Sequence, residues 1–289
     1  MLALAAGTAS AQATDTLAKI KDRGAVNLGV RDSSGLAFTL GGGKYVGFHT
    51  EMAERIIDDL GKSLGKPLKI NYQVITSQNR IPLIQNGTID FECGSTTNNK
   101  ARQKDVDFAF TTYVEEVRIA VKANSGIKSI KDLNGRTVAT TTGTTSVQTL
   151  RKNERAGGID FKEVMGKDHA DSFLLLESGR ADAFVMDGSI LAANIAKSKS
   201  PKDFAIVGEV LSVEPIACML PKGDAKLKKA IDDSIVRQIK DGSLTKLYDK
   251  WFMQPIPPNN VTLNMPASES TKAAWASPND KPMEDYAAK

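Results

Sequence analysis

Residues 68–93 read LKINYQVITSQNRIPLIQNGTIDFEC, and this stretch alternates between strand and helix signals. Residues 68–75 alternate apolar and polar side chains, as a strand does, and residues 89–93 form a second strand-like run. Between them, Ser77 is predicted to cap a helix that stops at Gly87. A strand, a helix and a strand in this order predict parallel neighbours joined by a right-handed crossover.

The preceding part of the chain shows the same alternation. Residues 16–22 predict a short helix that ends at Gly24, and residues 25–30, AVNLGV, predict a strand. Residues 49–64 carry apolar side chains at helical spacing, a stripe that faces a core. The first part of the chain is therefore predicted to be a doubly wound α/β sheet.

A second α/β series begins after Tyr113. Its predicted strands are residues 118–122, 137–141, 161–164 and 183–186. Its predicted helices are residues 130–133, 172–178 and 189–196. A further helix is predicted where the stretch GTTSVQTL forms a turn that leads into it. The chain ends with a predicted strand at 216–220, helices at 226–241 and 244–252, and a tail from Pro255 that we expect to wrap the surface or fray. At 289 residues the chain is long for one core, so two lobes are predicted.

Composition excludes several classes of protein. The chain is 41% hydrophobic and 25% charged, which is ordinary for a globular protein and excludes a disordered or fibrous one. A net charge of +4 without a long run of like charges gives weak support for nucleic-acid binding, and no nucleic-acid partner is expected. No stretch of about eighteen apolar residues occurs, so no membrane span is predicted.

Residues 1–13 read MLALAAGTASAQA, an Ala-rich run that ends in small residues. Residues 9–11 and 11–13 both fit the small-x-small pattern that signal peptidase requires. We interpret this segment as the remainder of a signal peptide and predict an exported, periplasmic protein. The alternative is a flexible Ala-rich leader.

The two cysteines, Cys93 and Cys218, are a candidate disulfide in an oxidising compartment. Taken in isolation, they are equally consistent with two small buried hydrophobic residues. Only His49 and His169 could join them as metal ligands, and no spacing among the four residues suits zinc. We therefore expect neither a metal nor a cofactor.

The segment DFAF at residues 107–110, preceded by Thr97-x-x-x-x-Arg102, resembles the signature of polar amino-acid-binding proteins of ABC transporters. Ala109 stands where that signature has serine, and Thr112 where it has the proline before a tyrosine. Longer segments resemble the glutamate/aspartate-binding branch specifically: residues 76–99, 167–187 and 250–258. By this resemblance the chain is identified as a member of the bacterial extracellular solute-binding protein family 3.

The resemblance implies two α/β lobes joined by two hinge strands, with the ligand in the cleft between them. Lobe 1 would comprise residues 14–115 and 216–289, and lobe 2 residues 116–215. The implied activity is capture of glutamate or aspartate by a monomer that hands it to a permease in the inner membrane, without enzymatic chemistry. The sheet order of the fold implies neighbouring strands for Cys93 and Cys218, and hence a disulfide between them.

The candidate binding residues suit a free amino acid, whose three charged groups need hydrogen-bonded opposites once they leave water. Arg102 suits the α-carboxylate because its planar guanidinium can bind two oxygens at once. By the resemblance, it is the family's arginine for that group. Thr142 and Thr145 lie in a turn that precedes a helix, where amides and hydroxyls bind anions. Asp187, at the carboxyl edge of a strand, is the predicted ammonium partner or the N-cap of the next helix.

The distal end of the ligand requires further side chains. The resemblance assigns four of them to a distal carboxylate: Arg31, Ser77, Arg80 and His169. Ser95 and Thr97 follow the strand at residues 89–93 and are expected to add a carbonyl and hydroxyls to the ammonium and the carboxylate.

A count of charges favours an acidic ligand. Arg31, Arg80 and Arg102 give three positive charges and Asp187 one negative charge, whereas glutamate brings two carboxylates and one ammonium. Glutamine would leave an arginine buried without a partner, which costs several kcal/mol.

Three alternatives remain at the level of sequence. The first is a binding protein for a neutral polar amino acid such as glutamine. The second is a periplasmic lyase for small carboxylates, with Cys93, His169 and Asp171 as an imaginable catalytic set. The third is a sensor ectodomain, which would need a membrane anchor.

Overall fold

A computed structural model describes residues 15–286, so the predicted signal segment at residues 1–13 lies outside the described part of the chain. The α-helices, in chain order, are α1 (Thr16–Arg23), α2 (Phe48–Leu64), α3 (Arg80–Gln85), α4 (Thr145–Gly157), α5 (His169–Glu177), α6 (Gly188–Lys197), α7 (Ala225–Lys240), α8 (Ser243–Phe252) and α9 (Glu269–Ala276). The strands are β1 (Ala25–Val30), β2 (Phe38–Thr39), β3 (Tyr45–Val46), β4 (Lys69–Val74), β5 (Phe91–Glu92), β6 (Val106–Phe108), β7 (Tyr113–Lys122), β8 (Thr137–Thr141), β9 (Lys162–Gly166), β10 (Ala183–Asp187), β11 (Phe204–Ile216), β12 (Met219–Pro221), β13 (Pro255–Ile256) and β14 (Val261–Thr262).

Two five-stranded sheets form the centres of two lobes. The sheet of lobe 1 has the order β4-β1-β5-β12-β6, and that of lobe 2 the order β11-β7-β10-β8-β9. Each sheet has a parallel part, β4-β1-β5 and β10-β8-β9, which the strand–helix alternation predicted. Each also has one strand that runs against the others and pairs antiparallel with both of its neighbours, β12 in lobe 1 and β7 in lobe 2. The predicted α/β class with two doubly wound lobes is confirmed, and both sheets are mixed.

Both faces of the lobe 2 sheet are buried. Along β10, Ala183 and Val185 join one apolar cluster, whereas Phe184 and Met186 join another. Because successive side chains of a strand point to opposite faces, the two clusters lie on the two sides of the sheet. Helices on both faces are what a doubly wound fold requires.

Two local predictions need correction at α3 and β11. Helix α3 begins at Arg80, and Ser77 does not cap it, because the Ser77 Oγ accepts hydrogen bonds from Arg31 instead. The strand predicted at residues 216–220 is divided: β11 ends at Ile216, and β12 begins at Met219. Strand β11 was missed because a register shift between Val207 and Ser212 interrupts its pairing with β7, and its period-2 pattern with it.

Strands β7 and β11 carry the chain between the two sheets and pair with each other. Tyr113 lies opposite Ile216 at the lobe 1 end of this pair, and Lys122 lies opposite Phe204 at the far end. The predicted lobe limits, between residues 115 and 116 and between 215 and 216, fall inside these two strands. We refer to β7 and β11 as the hinge strands.

The tail that begins at Pro255 wraps the surface, which is one of the two outcomes expected for it. Helix α9 packs beside β7, where the Val114 amide donates to Thr271 Oγ1 over 3.0 Å. The Trp275 indole donates to the Thr112 carbonyl over 2.8 Å. The Met283 amide donates to the Asn98 carbonyl, also over 2.8 Å.

Cys93 and Cys218 form a disulfide, as predicted. Met219 pairs with Glu92 where β12 runs antiparallel to β5, and this pairing places the two cysteines side by side at the start of one strand and the end of the other. Within residues 15–286, no helix has the length and apolar character that crossing a membrane requires.

Candidate binding site between the lobes

The predicted site residues come together where the two lobes meet. Arg31 follows β1 and Ser95 follows β5, so both lie at carboxyl ends of lobe 1 strands, where α/β sheets place ligands. Asp187 ends β10 on the lobe 2 side. The lobes are in contact here, since a Cβ on Gly143 would lie 2.8 Å from the Gln78 Cα. The described conformation is therefore a closed one.

Arg80 is buried, with 2% of its surface exposed. Its Nη1 donates to the Ser95 carbonyl over 3.2 Å and to Thr96 Oγ1 over 2.7 Å. Within the described chain, Nε has no hydrogen-bond partner, and no hydrogen bond uses Nη2. Desolvation, then Arg102 and Arg31, lower the pKa of Arg80 well below its usual value. The Nε/Nη2 edge is the one with which a guanidinium binds both oxygens of a carboxylate.

Arg31 is fully buried, but most of its donors already have protein partners. Both terminal nitrogens lie 3.2 Å from Ser77 Oγ. Nη2 also donates to Asp168 Oδ1 over 3.0 Å and to His169 Nε2 over 2.8 Å. Asp168 and His169 belong to lobe 2, so Arg31 links the lobes.

His169 is a neutral acceptor in this arrangement. Burial and the neighbouring Arg31 lower the pKa of His169 to about 3. With Nε2 accepting from Arg31, the proton resides on Nδ1, which lies 3.1 Å from Thr141 Oγ1. Both ring nitrogens are thus occupied, and His169 acts on the site through Arg31.

Arg102 also lies at the cleft and is half-buried. Its Nη1 donates to the Thr97 carbonyl over 2.7 Å, and its Nη2 reaches the Gly143 carbonyl of lobe 2 at 3.4 Å. Desolvation lowers the pKa of Arg102, against the opposing effect of Glu214 and Asp187.

Asp187 is 4% exposed and stands at the N-cap position of α6, yet its side chain makes no capping hydrogen bond. Among residues 15–286, no group donates a hydrogen bond to its carboxylate. Burial, then Glu115 and Glu214, raise the pKa of Asp187 well above its usual value, while Arg80 and Arg102 oppose this shift. A buried carboxyl group without donors suits a cationic partner.

Two acidic residues of the hinge strands were missed by the sequence analysis. Glu214, on β11, accepts from the Thr97 hydroxyl of lobe 1 over 2.5 Å and from the Thr145 hydroxyl of lobe 2 over 2.6 Å. Glu115, on β7, lies directly opposite Glu214 in the strand register. Burial raises the pKa of Glu115 to about 7. The predicted count of three arginines against Asp187 alone is therefore incomplete, because these two residues and Asp168 are further acidic groups near the arginines.

The other predicted residues differ in where their polar groups point. The Ser95 Oγ is buried and has no partner in the described chain. The Thr142 hydroxyl donates to the Gly166 carbonyl over 3.2 Å, within lobe 2. Because Cys93 is held in the disulfide, it has no thiol that could serve as a nucleophile.

Two α/β lobes that close over a guanidinium edge and a carboxyl group define a solute-binding protein, because both groups need a dipolar partner from outside the chain. A model of the bacterial extracellular solute-binding proteins, family 3, matches residues 26–254. The chain belongs to this family. Its members are extracellular binding proteins that deliver amino acids to the permeases of ABC transporters. The predicted export is thus confirmed, and the lyase alternative is wrong.

The chain is similar over almost its whole length to two relatives. It is 44% identical over 285 residues to the L-glutamate/L-aspartate-binding protein of Pseudomonas aeruginosa, covering 97% of this chain and 94% of the relative. It is 43% identical over 287 residues to the glutamate/aspartate import solute-binding protein of Escherichia coli, covering 97% and 95%. Among solved structures, an ancestral arginine-binding protein bound to glutamine has a TM-score of 0.71 and 31% identity, covering 80% of this chain and 98% of that one.

Proposed function

We propose that this protein binds L-glutamate or L-aspartate between its lobes in the periplasm and delivers it, as a monomer, to the permease of an ABC importer. The observation that carries the proposal is the Nε/Nη2 edge of the buried Arg80, which has no hydrogen-bond partner among residues 15–286. An anionic group is the partner that such an edge requires. Similarity to the two glutamate/aspartate-binding relatives supports this choice.

The proposed orientation places the distal carboxylate against Arg80, with Arg31, Ser77 and His169 behind it. The α-carboxylate lies against Arg102, Ser95 and Thr97, facing the α4 start of lobe 2 at Thr142 and Thr145. The ammonium lies against Asp187. Each charged group of the ligand then meets an opposite charge or a donor, which is the condition for burying all three.

Closure of the lobes is the event that the permease detects. Ligand first binds the lobe 1 arginines, and hinge closure then adds contacts with lobe 2, among them Asp187. Contacts that exist only in the closed state shift the population toward it. Binding and recognition by the permease are coupled in this way without any chemical step.

Isothermal titration with glutamate, aspartate and glutamine tests the proposal. We expect both acidic amino acids to bind and glutamine to bind weaker by a factor of about 100 or more, since an unpaired buried arginine costs several kcal/mol. Glutamate and aspartate differ by one methylene, worth about 1–3 kcal/mol in either direction. Glutamine binding as tightly as glutamate would show that Asp168 already compensates the arginines, and a neutral ligand would then replace the acidic one in the proposal.

A further inference from the structure

Residues 31–38 of lobe 1 are fitted closely against lobe 2. A Cβ on Gly35 would lie 2.3 Å from the Ser189 carbonyl oxygen at the start of α6. The Lys197 ammonium of α6 stands 3.8 Å from the centre of the Phe38 ring. This segment therefore forms part of the surface on which the lobes close, next to the proposed ligand site.

Helix α5 of lobe 2 has an unusual N-terminus at this surface. Asp168 occupies the N-cap position, but its side chain makes no capping hydrogen bond. The free Ala170 amide in the first turn instead donates to Ser33 Oγ of lobe 1 over 3.1 Å. The cap of a lobe 2 helix is thus supplied by a serine of the other lobe.

The Asp168 carboxylate, not used as a cap, turns toward lobe 1. One oxygen accepts from Arg31 Nη2 over 3.0 Å, and the other accepts from the Ser33 hydroxyl. Ser33 therefore donates to Asp168 and accepts from Ala170 at the same time. Asp168 and His169 together hold the Arg31 guanidinium from the lobe 2 side.

We propose that closure exchanges the cap of α5: Asp168 caps its own helix when the lobes are apart, and Ser33 takes over the cap when they meet, releasing Asp168 to orient Arg31. Asp168 is then a positioning residue for the acidic ligand. This inference rests on the proposed function for its ligand, but the exchange itself depends only on the two lobes meeting. Because aspartate and serine are both good N-caps, the helix loses little when one replaces the other.

A double-mutant cycle of Ser33→Ala and Asp168→Asn tests the exchange. Asparagine caps a helix as well as aspartate does, so Asp168→Asn keeps the open-state cap and loses only the charge that orients Arg31. We expect each single variant to bind its ligand about 5–30-fold weaker, the range that corresponds to losing one cap or one charged hydrogen bond. The double variant should bind the ligand no more than about 3-fold weaker than the weaker-binding single variant, because both substitutions abolish the same exchange of the cap.

The control is Asp171→Asn, an exposed carboxylate in the first turn of the same helix. The Asp171→Asn variant should bind the ligand with wild-type affinity. Without ligand, all variants should have the melting temperature of the wild type. Each protein is titrated with whichever of the twenty standard amino acids raises the wild-type melting temperature most. If that amino acid is not acidic, the proposed function fails, while the cycle still tests the exchange. Fully additive effects, or an unchanged affinity of Ser33→Ala, would overturn the exchange and leave the proposed function intact.

Discussion

The arginine side and the carboxylate side of the cleft use different groups to hold their buried charges. On the arginine side, Arg31 is held by Ser77, Asp168 and His169, and Arg80 has protein partners for one of its terminal nitrogens. On the carboxylate side, Glu214 accepts three hydroxyl hydrogen bonds, from Thr97, Thr145 and Ser212, whereas Asp187 accepts none from the described chain.

Each side therefore has one charge that several protein groups hold and one that is largely without such partners. The paired charges fix the shape of the cleft and the contact between the lobes. The unpaired groups, the Arg80 edge and Asp187, mark the two ends of a dipole that an amino acid can complete. A charged residue that is already paired serves mainly to position its neighbours.

Removing the arginine end should have the largest effect. Arg80→Ala should weaken glutamate binding by ~2–5 kcal/mol, the range for breaking a desolvated charge pair. Arg80→Lys is the matched control, because it keeps the charge but loses the planar fork, and it should recover only part of the affinity. Titration calorimetry measures both. Near-wild-type affinity in the alanine variant would remove Arg80 from the site and, with it, the argument for an acidic ligand.

Removing the carboxyl end should have a smaller effect, confined to closure. Asp187→Asn should weaken binding by about 2 kcal/mol, since a neutral amide compensates an ammonium less well. The ligand-free melting temperature should not fall, because Asp187 makes no capping hydrogen bond that the variant could lose. Small-angle scattering should show compaction only at higher glutamate concentration than in the wild type. Compaction at wild-type concentrations would assign the ammonium to another group, such as Glu214.

The hinge carboxyl of Glu115 should change the stability of the fold rather than the affinity for the ligand, and a pH series isolates this effect. Burial raises the pKa of Glu115 from 4.5 to about 7, so between these values the folded form holds a proton that the unfolded form has released. Stability from this group is complete below pH 4.5 and is lost as the pH rises toward 7. The loss is at most about 3 kcal/mol.

Urea unfolding between pH 5 and pH 8 measures this dependence. The free energy of unfolding of Glu115→Gln should fall less steeply with pH than that of the wild type. Two parallel curves would show that Glu115 has the same pKa in the folded and unfolded states. Glutamine is the suitable replacement because it keeps the shape of the protonated carboxyl group.

Elements with a strong local pattern were predictable from the sequence. Residues 25–30 and 137–141 form strands with the predicted bounds. The helix predicted at residues 16–22 extends by one residue to Arg23, and Gly24 ends it with a φ of +67°. Helix α9 was missed because its eight residues bury only Thr271 and Ala274, too few to give an apolar stripe.

The arginines and Asp187 that we propose for ligand binding were predicted through the family resemblance, whereas the other acidic residues of the cleft were not predicted. Glu214 is fully buried through hydroxyls that come from both lobes, and no local pattern records such contacts. Glu115 did leave a signal, because it alternates in step with Tyr113 and Val117 on the inward side of β7. The role proposed for Asp168 depends on its contact with Arg31 of the other lobe. The two residues are 137 positions apart in sequence, and a single sequence does not reveal such a contact.

The position of the disulfide has a consequence for how the chain tolerates damage. Cys93 and Cys218 are 125 residues apart, and every strand of the lobe 2 sheet lies between them. Lobe 2 is therefore an excursion of the polypeptide that leaves lobe 1 and returns to it inside a covalent ring. A protease that cuts lobe 2 once opens this ring without dividing the molecule, and both halves of lobe 1 stay joined as long as the cysteines remain oxidised.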